Sequence, residues 1–287
     1  MELFLSQVFN GLTNTAILFL VSVGLVIIFG LLDVVNMAHG EFIMLGAYSA
    51  VVCVNTFHLP FFVAVIIAAI VAGVIGSIVE AVIIKRLYGK VAETLLGTFA
   101  LSYIFQQIIR SIFGPEDQQL SLPTEAAFEL VGVYIPVYNL ILIAIAIIIL
   151  VGSLLLISKT TFGMQIRANV QNRKMVQCLG VNSLKIDNFT FTYGCMLAGI
   201  AGALIAPIKS ISPGMGVTYI VDSFLVVVLG GLQSIMGSFL SSFVIGESET
   251  VLAGYMTEIS AKLLVFLLII IIIRFRPQGL FFNKNKR

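Results

Sequence analysis

Long apolar runs alternate with short polar breaks along this chain, and the runs recur at a length that suits a bilayer. An apolar helix needs about 20 residues to cross the hydrocarbon core. Counting runs against that length predicts helices near 8–30, 40–57, 61–83, 94–113, 137–158, 188–208, 217–231, 235–252 and 258–275. The third, fifth and last are unambiguous, whereas Gly and polar residues interrupt the second, fourth and seventh. The runs exceed the about ten residues of a barrel strand and lack its strict alternation. The expected fold class is all-α, a polytopic transmembrane helical bundle of eight to nine spans forming one domain over 1–287. The second or seventh segment is the place for a broken or re-entrant helix. Small residues recur closely at Ala68, Ala69, Ala72, Gly73 and Gly76, and again at Gly194, Ala198, Gly199 and Gly202. Such stripes let helix backbones approach, as static packing or as a sliding surface.

The longest polar interruption, KTTFGMQIRANVQNRKMVQCLGVNSLKID over 159–187, is basic and must sit in water. Within it Ile166, Val170, Met175, Val176 and Leu179 recur at helical spacing between Gly163 and Gly180, which predicts a short amphipathic helix around 165–179. Orientation follows from charge. Thirteen of the 16 Lys and Arg lie after the third span, after the fifth and after the last. Short loops rich in Lys and Arg stay in the cytoplasm. The loop 114–136 carries Glu116, Asp117, Glu125 and Glu129 without a Lys or Arg, as the outer side would. Splitting 217–252 at Gly230-Gly231 keeps the basic C-terminus inside and places the N-terminus outside.

Composition narrows the function classes. The chain is 59% hydrophobic and 10% charged, where a soluble domain carries about a quarter charged residues. A net charge of +2, spread over short loops, offers no patch for nucleic acid. Cys53, Cys178 and Cys195 are scattered and form no CxxC pair. The N-terminus has no basic region of a cleavable signal, so the first apolar run is expected to be retained. The two histidines, His39 and His58, belong to no HExxH or nucleophile motif, and no metal site or cofactor is indicated. Nor is there a GxxxxGK[ST] phosphate loop, so the chain has no motif for spending ATP by itself.

Polar residues inside apolar spans carry the remaining information, since an ionisable group in hydrocarbon costs at least ~2.5 kcal/mol and normally faces a cavity or partner. In LLDVVNMAHGEFIMLGAY (31–48), Asn36 or His39 is placed to cap a helix, Gly40 permits a tight turn, and Glu41 sits at the positive helix end. In the fourth span Thr98, Ser102 and Gln106 repeat every four residues and share a face, with Gln107 beside them. Such a stripe either lines a path for a neutral polar solute or bonds to another helix. Asp222, opening the seventh segment, and Tyr219 before it are further candidates for an outer vestibule. Glu80 is expected to pair near Lys85 and Arg86, and Arg110 and Lys262 to snorkel outward.

The residues Asn36, Ala38, His39, Gly40 and Glu41 closely resemble the N-x-A-H-G-E signature of permease subunits in the branched-chain amino acid family of ABC importers. Residues 172–181 (N-R-K-M-x-x-x-L-G-V) and FTYGCMLAGIAGAL (191–204) continue the likeness, which covers about 8 to 281. SPGMGVTYIVDSFLVVVLGGL (212–232) and AKLLVF…RPQGLF (261–281) look most like the urea-transporting branch. The resemblance implies a multi-pass bacterial inner-membrane permease working by alternating access. Its partners would be a second permease subunit, two cytoplasmic ATPase subunits, an extracytoplasmic substrate-binding protein and membrane lipid. The 159–187 loop would be the coupling element, with Arg167, Ala168, Asn172, Arg173, Lys174, Met175, Leu179 and Gly180 at the ATPase. Of the Glu-Ala-Ala docking motif found in many ABC importers, the loop keeps only Ala168 and the later Gly180. Urea or a small amide is the expected solute, and branched-chain amino acids the alternative. From another class, a stand-alone channel or ion-coupled transporter would use Glu41, Glu80 and Asp222 as ion sites.

Overall fold

A computed structural model describes residues 2–32, 34–124, 126–130, 133–276, 279 and 280. Asp33, Glu125, Pro277, Gln278 and the tail from Phe281, with Lys284, Lys286 and Arg287, lie outside the described residues. Each apolar run has become a helix: α1 (Glu2–Leu32), α2 (His39–Val51, extended by a π-helical turn through Thr56), α3 (Phe61–Val82), α4 (Val91–Phe113) and α5 (Val137–Lys159). The polar segment holds α6 (Thr161–Gln171) and α7 (Arg173–Cys178). Then follow α8 (Ser183–Ile205), α9 (Met215–Gly230), α10 (Ile235–Ala253) and α11 (Glu258–Phe275).

By length and apolarity four stretches can cross a membrane: Leu5–Leu32, Phe61–Arg86, Val137–Lys159 and Ser183–Ile205. The pair α9 and α10 meets the same test only jointly, and is bent by 115°. A count of eight to nine spans therefore depends on helices that fall short of this criterion. Helix α2 has only 13 residues, and α11 carries Glu258, Lys262 and Arg274. The α9–α10 break falls where the glycine pair predicted it. Gly231 takes φ 94°, a left-handed value, and Ser234 caps α10 by accepting the Gly237 N–H at 2.9 Å.

Two features depart from the sequence expectation. The 114–136 loop contains a hairpin that the apolar pattern did not predict, in which β1 (Ala127–Leu130) pairs antiparallel with β2 (Val133–Pro136). Gln118 and Ile211 also exchange backbone hydrogen bonds at 2.8 and 3.0 Å, which ties this loop to the α8–α9 connection. The single helix expected around 165–179 is instead split. Asn172 leaves helical geometry (φ −154°, ψ 89°) and its side chain accepts the Met175 N–H at 3.0 Å, starting α7 afresh. Asn competes well for such N-terminal positions because its short side chain reaches the free N–H groups.

Helices α1, α2 and α8 form the centre, with α3 on one flank of α8 and α9 and α10 along α1. The glycine stripes explain this arrangement. A Cβ on Gly202 would collide with the Ile43 carbonyl of α2, and one on Gly194 with Ile28 and the Gly24 carbonyl of α1. On the α3 side a Cβ at Gly199 would lie 2.6 Å from that of Ala72. Lipid supplies no hydrophobic drive between helices, so close backbone contact of this kind substitutes for it. Helix α5 remains largely exposed on this chain, and Tyr138 moors it by donating to the Leu204 carbonyl at 2.6 Å.

The packing predicts that Gly202→Ala, which overfills the α2–α8 contact, lowers the stability of the detergent-solubilised protein by about 1–3 kcal/mol. Gly152→Ala, where an added Cβ meets nothing within 4 Å, leaves it unchanged or raises it. Thermal unfolding of both variants followed by size-exclusion chromatography checks the contrast.

Candidate functional site

The start of α2 and one face of α4 meet in the interior. Asn36 and His39 do not cap α2, contrary to expectation. The Asn36 carbonyl and side-chain oxygen instead accept the N–H groups of His39 (3.2 Å) and Ala38 (3.1 Å), closing the turn that precedes the helix. His39 is the first helical residue, and its ring is buried against α1 near Gly24. Gly40 is needed because a Cβ there would overlap the Gly216 carbonyl at the start of α9. Glu41 follows, in the first turn of α2, and its side chain is 1% exposed.

Glu41 Oε1 accepts from Ser102 Oγ at 2.7 Å and from Gln106 Nε2 at 2.8 Å. Thr98 Oγ1 accepts the Met37 N–H at 3.0 Å. The stripe on α4 is therefore joined to the 36–41 turn. Gln107 points the other way and is exposed. Glu41 Oε2 has no hydrogen-bond partner, and it faces Gly216, whose added Cβ would lie 2.6 Å away. No Lys, Arg or His pairs with this carboxylate among the described residues.

Asp222 does not open its helix. Helix α9 begins at Met215, so Asp222 lies mid-helix and turns toward α11, where Lys262 Nζ sits 2.6 and 2.8 Å from its two oxygens. Lys262 thus pairs inward instead of snorkelling. Tyr219 is half-buried, packed against the main core. Neither residue joins Glu41. Sequence reading missed Asn14 and Glu249, which bond at 3.1 Å between α1 and α10.

A second polar cluster anchors the 159–187 segment. Arg173 Nη2 lies 2.6 Å from Asp187 Oδ2, Asn169 donates to Asp187 Oδ1 at 2.8 Å, and the guanidinium sits 5.3 Å above the Tyr88 ring. Tyr88 donates to Glu80 at 3.0 Å and Asn188 to Glu80 at 2.6 Å. Glu80 is therefore held by Tyr88 and Asn188, not by Lys85 or Arg86. Burial, helped by the neighbouring Glu80 and Asp187 charges, pushes the Tyr88 hydroxyl pKa up, so it remains a donor.

Arg173 is consequently spent inside the protein. Arg167 donates to the Ile157 carbonyl, the Ala168 carbonyl accepts the Asn172 N–H, and Gly180 ends α7 at φ 83°. Lys174 is exposed, and beside it Met164, Met175 and Leu179 present large apolar side chains to the outside. The adjacent Asp187-Asn188 pair at the mouth of an apolar span was the sequence signal for this cluster. Among the described residues no group of three or more His, Cys, Asp or Glu is placed to hold a metal ion.

The profile of the family described as "Branched-chain amino acid transport system / permease component" matches residues 7–273. The chain is 28% identical to the high-affinity branched-chain amino acid transport system permease protein BraD of Pseudomonas aeruginosa, over 96% of this chain and 95% of that one. It is 25% identical to the permease protein LivH of Escherichia coli K12 over the same shares. To the probable LivH of Methanocaldococcus jannaschii it is 24% identical over 92% of this chain and 88% of the relative. No solved structure matches.

Replacing Arg173 by Ala strands a nearly fully buried Asp187 carboxylate. A completely buried pair would lose about 3–5 kcal/mol. Because Arg173 keeps 38% of its side chain exposed, the expected loss is roughly 1–3 kcal/mol. Adding Asp187→Asn to Arg173→Ala should recover part of it, measured as the shift in Tm of the purified protein.

Proposed function

We propose, from the premise that this chain belongs to the branched-chain amino acid transport permease family, that it is the membrane-spanning subunit of an ATP-driven importer of branched-chain amino acids. The observation that carries this reading is the family match over residues 7–273, together with relatives of nearly equal length whose names all specify that transport. The urea reading finds no support among them, and the two C-terminal stretches that suggested it do not outweigh whole-chain similarity. The chain is a multi-pass membrane protein with a nearly all-helical fold. Its placement in a bacterial inner membrane, with the C-terminus cytoplasmic and eight to nine segments in the bilayer, belongs to the proposal.

In this reading the single permease domain pairs with a second permease subunit, receives solute from an extracytoplasmic binding protein and is driven by two cytoplasmic ATPase subunits. It carries no nucleotide site of its own. The 159–187 segment is the coupling element. Lys174, Met175, Leu179 and Met164 supply its contact face, a mix of charge and exposed apolar surface that suits a protein groove. Arg173, Asn172 and Gly180 shape and anchor that face from behind. ATP binding would switch the bundle between outward- and inward-open states by favouring one of them. Of the carboxylates Glu41, Glu80 and Asp222 that a stand-alone ion-coupled transporter would use, Glu80 and Asp222 are engaged by internal partners, which leaves that rival Glu41 alone.

Reconstituted with its partner subunits and a leucine-loaded binding protein, the chain should support uptake into proteoliposomes only with ATP. Replacing the phosphate-loop lysine of the partner ATPase should abolish that uptake. Gradient-driven leucine uptake by this chain alone would overturn the proposal.

A further inference from the structure

We infer that Glu41 is the receptor for the ammonium group of the transported solute, with Ser102 and Gln106 occupying its place while the path is closed. The inference rests on the permease reading above and adds the chemistry of recognition.

Among the three most buried carboxylates, Glu80 and Asp187 share the cluster that contains Arg173, Tyr88 and Asn188. Glu41 has only the two neutral donors, both of them on one of its oxygens. The other oxygen is buried and without a partner. An unpaired buried polar atom is costly, and the cost is greater for a charged group. The seat is therefore under-supplied with N–H donors and with positive charge, which a primary ammonium brings together.

The surroundings allow the exchange. Both donors belong to α4, which packs inward along one narrow face containing Thr94, Thr98, Leu101, Ser102 and Ile109. Leu96, Tyr103, Ile104 and Ile112 on its other faces are exposed. Displacing α4 thus leaves the α1–α2–α8 packing intact. On its other side the carboxylate packs directly against Gly216, where an added Cβ would lie 2.6 Å from Oε2, so room for a solute has to come from the α4 side. The α2–α4 seam also carries an apolar contact next in sequence to each partner: Phe42 follows Glu41, Phe105 precedes Gln106, and the two rings stack edge to face at 5.8 Å. Opening the seam would bare a carboxylate and aromatic surface together. That combination fits a solute with an ammonium on one side and an aliphatic group on the other. Ser102 Oγ and the Gln106 carbonyl can then turn to accept the remaining N–H groups.

The test uses the complete importer in proteoliposomes, with leucine as probe, and compares Glu41→Gln with Glu41→Asp. Gln keeps the size and the oxygen that Ser102 and Gln106 need, but loses the charge. Asp keeps the charge and loses a methylene. Ammonium recognition predicts that Gln lowers leucine uptake roughly ten- to hundredfold, as expected for losing a charged hydrogen bond, and that Asp retains more uptake than Gln. A structural role predicts the reverse order. Uptake by Glu41→Gln equal to wild type, or loss of the folded Tm in both variants, would overturn the inference. Absence of ATP-dependent leucine uptake by the wild-type importer would instead sink the permease reading.

Discussion

Backbone-to-backbone contact along α8 is the constraint on which the other features depend. Gly194, Gly199 and Gly202 bring this helix against α1, α2 and α3 so closely that a methyl group at any of them would overlap a neighbour. Within a bilayer, where apolar side chains gain little by leaving lipid, such contact is a principal source of cohesion. It encloses α2, a helix of 13 residues, on nearly all sides. A helix that short is tolerated at membrane depth only when protein shields its ends. The enclosure of α2 in turn removes Glu41 from water.

Two polar clusters organise the rest, and α4 belongs to one of them and starts next to the other. At its start, Thr94 donates to the Leu87 carbonyl at 2.9 Å, one residue from the Tyr88 that bonds Glu80. Further along, the same helix carries Ser102 and Gln106 to Glu41. One helix thus begins beside the Tyr88 turn and ends up supplying both donors to the buried carboxylate. Its remaining surface is broadly exposed, so its position is decided mainly by those polar contacts.

The helices themselves were legible in the sequence, as was the break at Gly230-Gly231, since apolar runs and glycine pairs act locally. The expected helix around 165–179 came out as two because the Asn172 side chain could accept the Met175 N–H, a competition that periodicity does not register. The β1–β2 hairpin was missed for a related reason. Its strands have four residues each, too few for alternation to stand out.

Of the candidate residues, the sequence by itself determined that Asn36–Glu41 and Thr98–Gln106 were polar groups requiring partners in an apolar setting. The chain's family also followed from motifs spread along its length. Only the tertiary structure decided that these two sets were each other's partners, that Asp222 belonged to Lys262, and that Arg173 turned inward to Asp187. Spacing along a helix specifies which side chains share a face, whereas what that face meets is set by the helix packed beside it. In this chain the glycine contacts of α8 set the α1, α2 and α3 packing across separations of more than a hundred residues, and the side-chain pairings complete the arrangement around it.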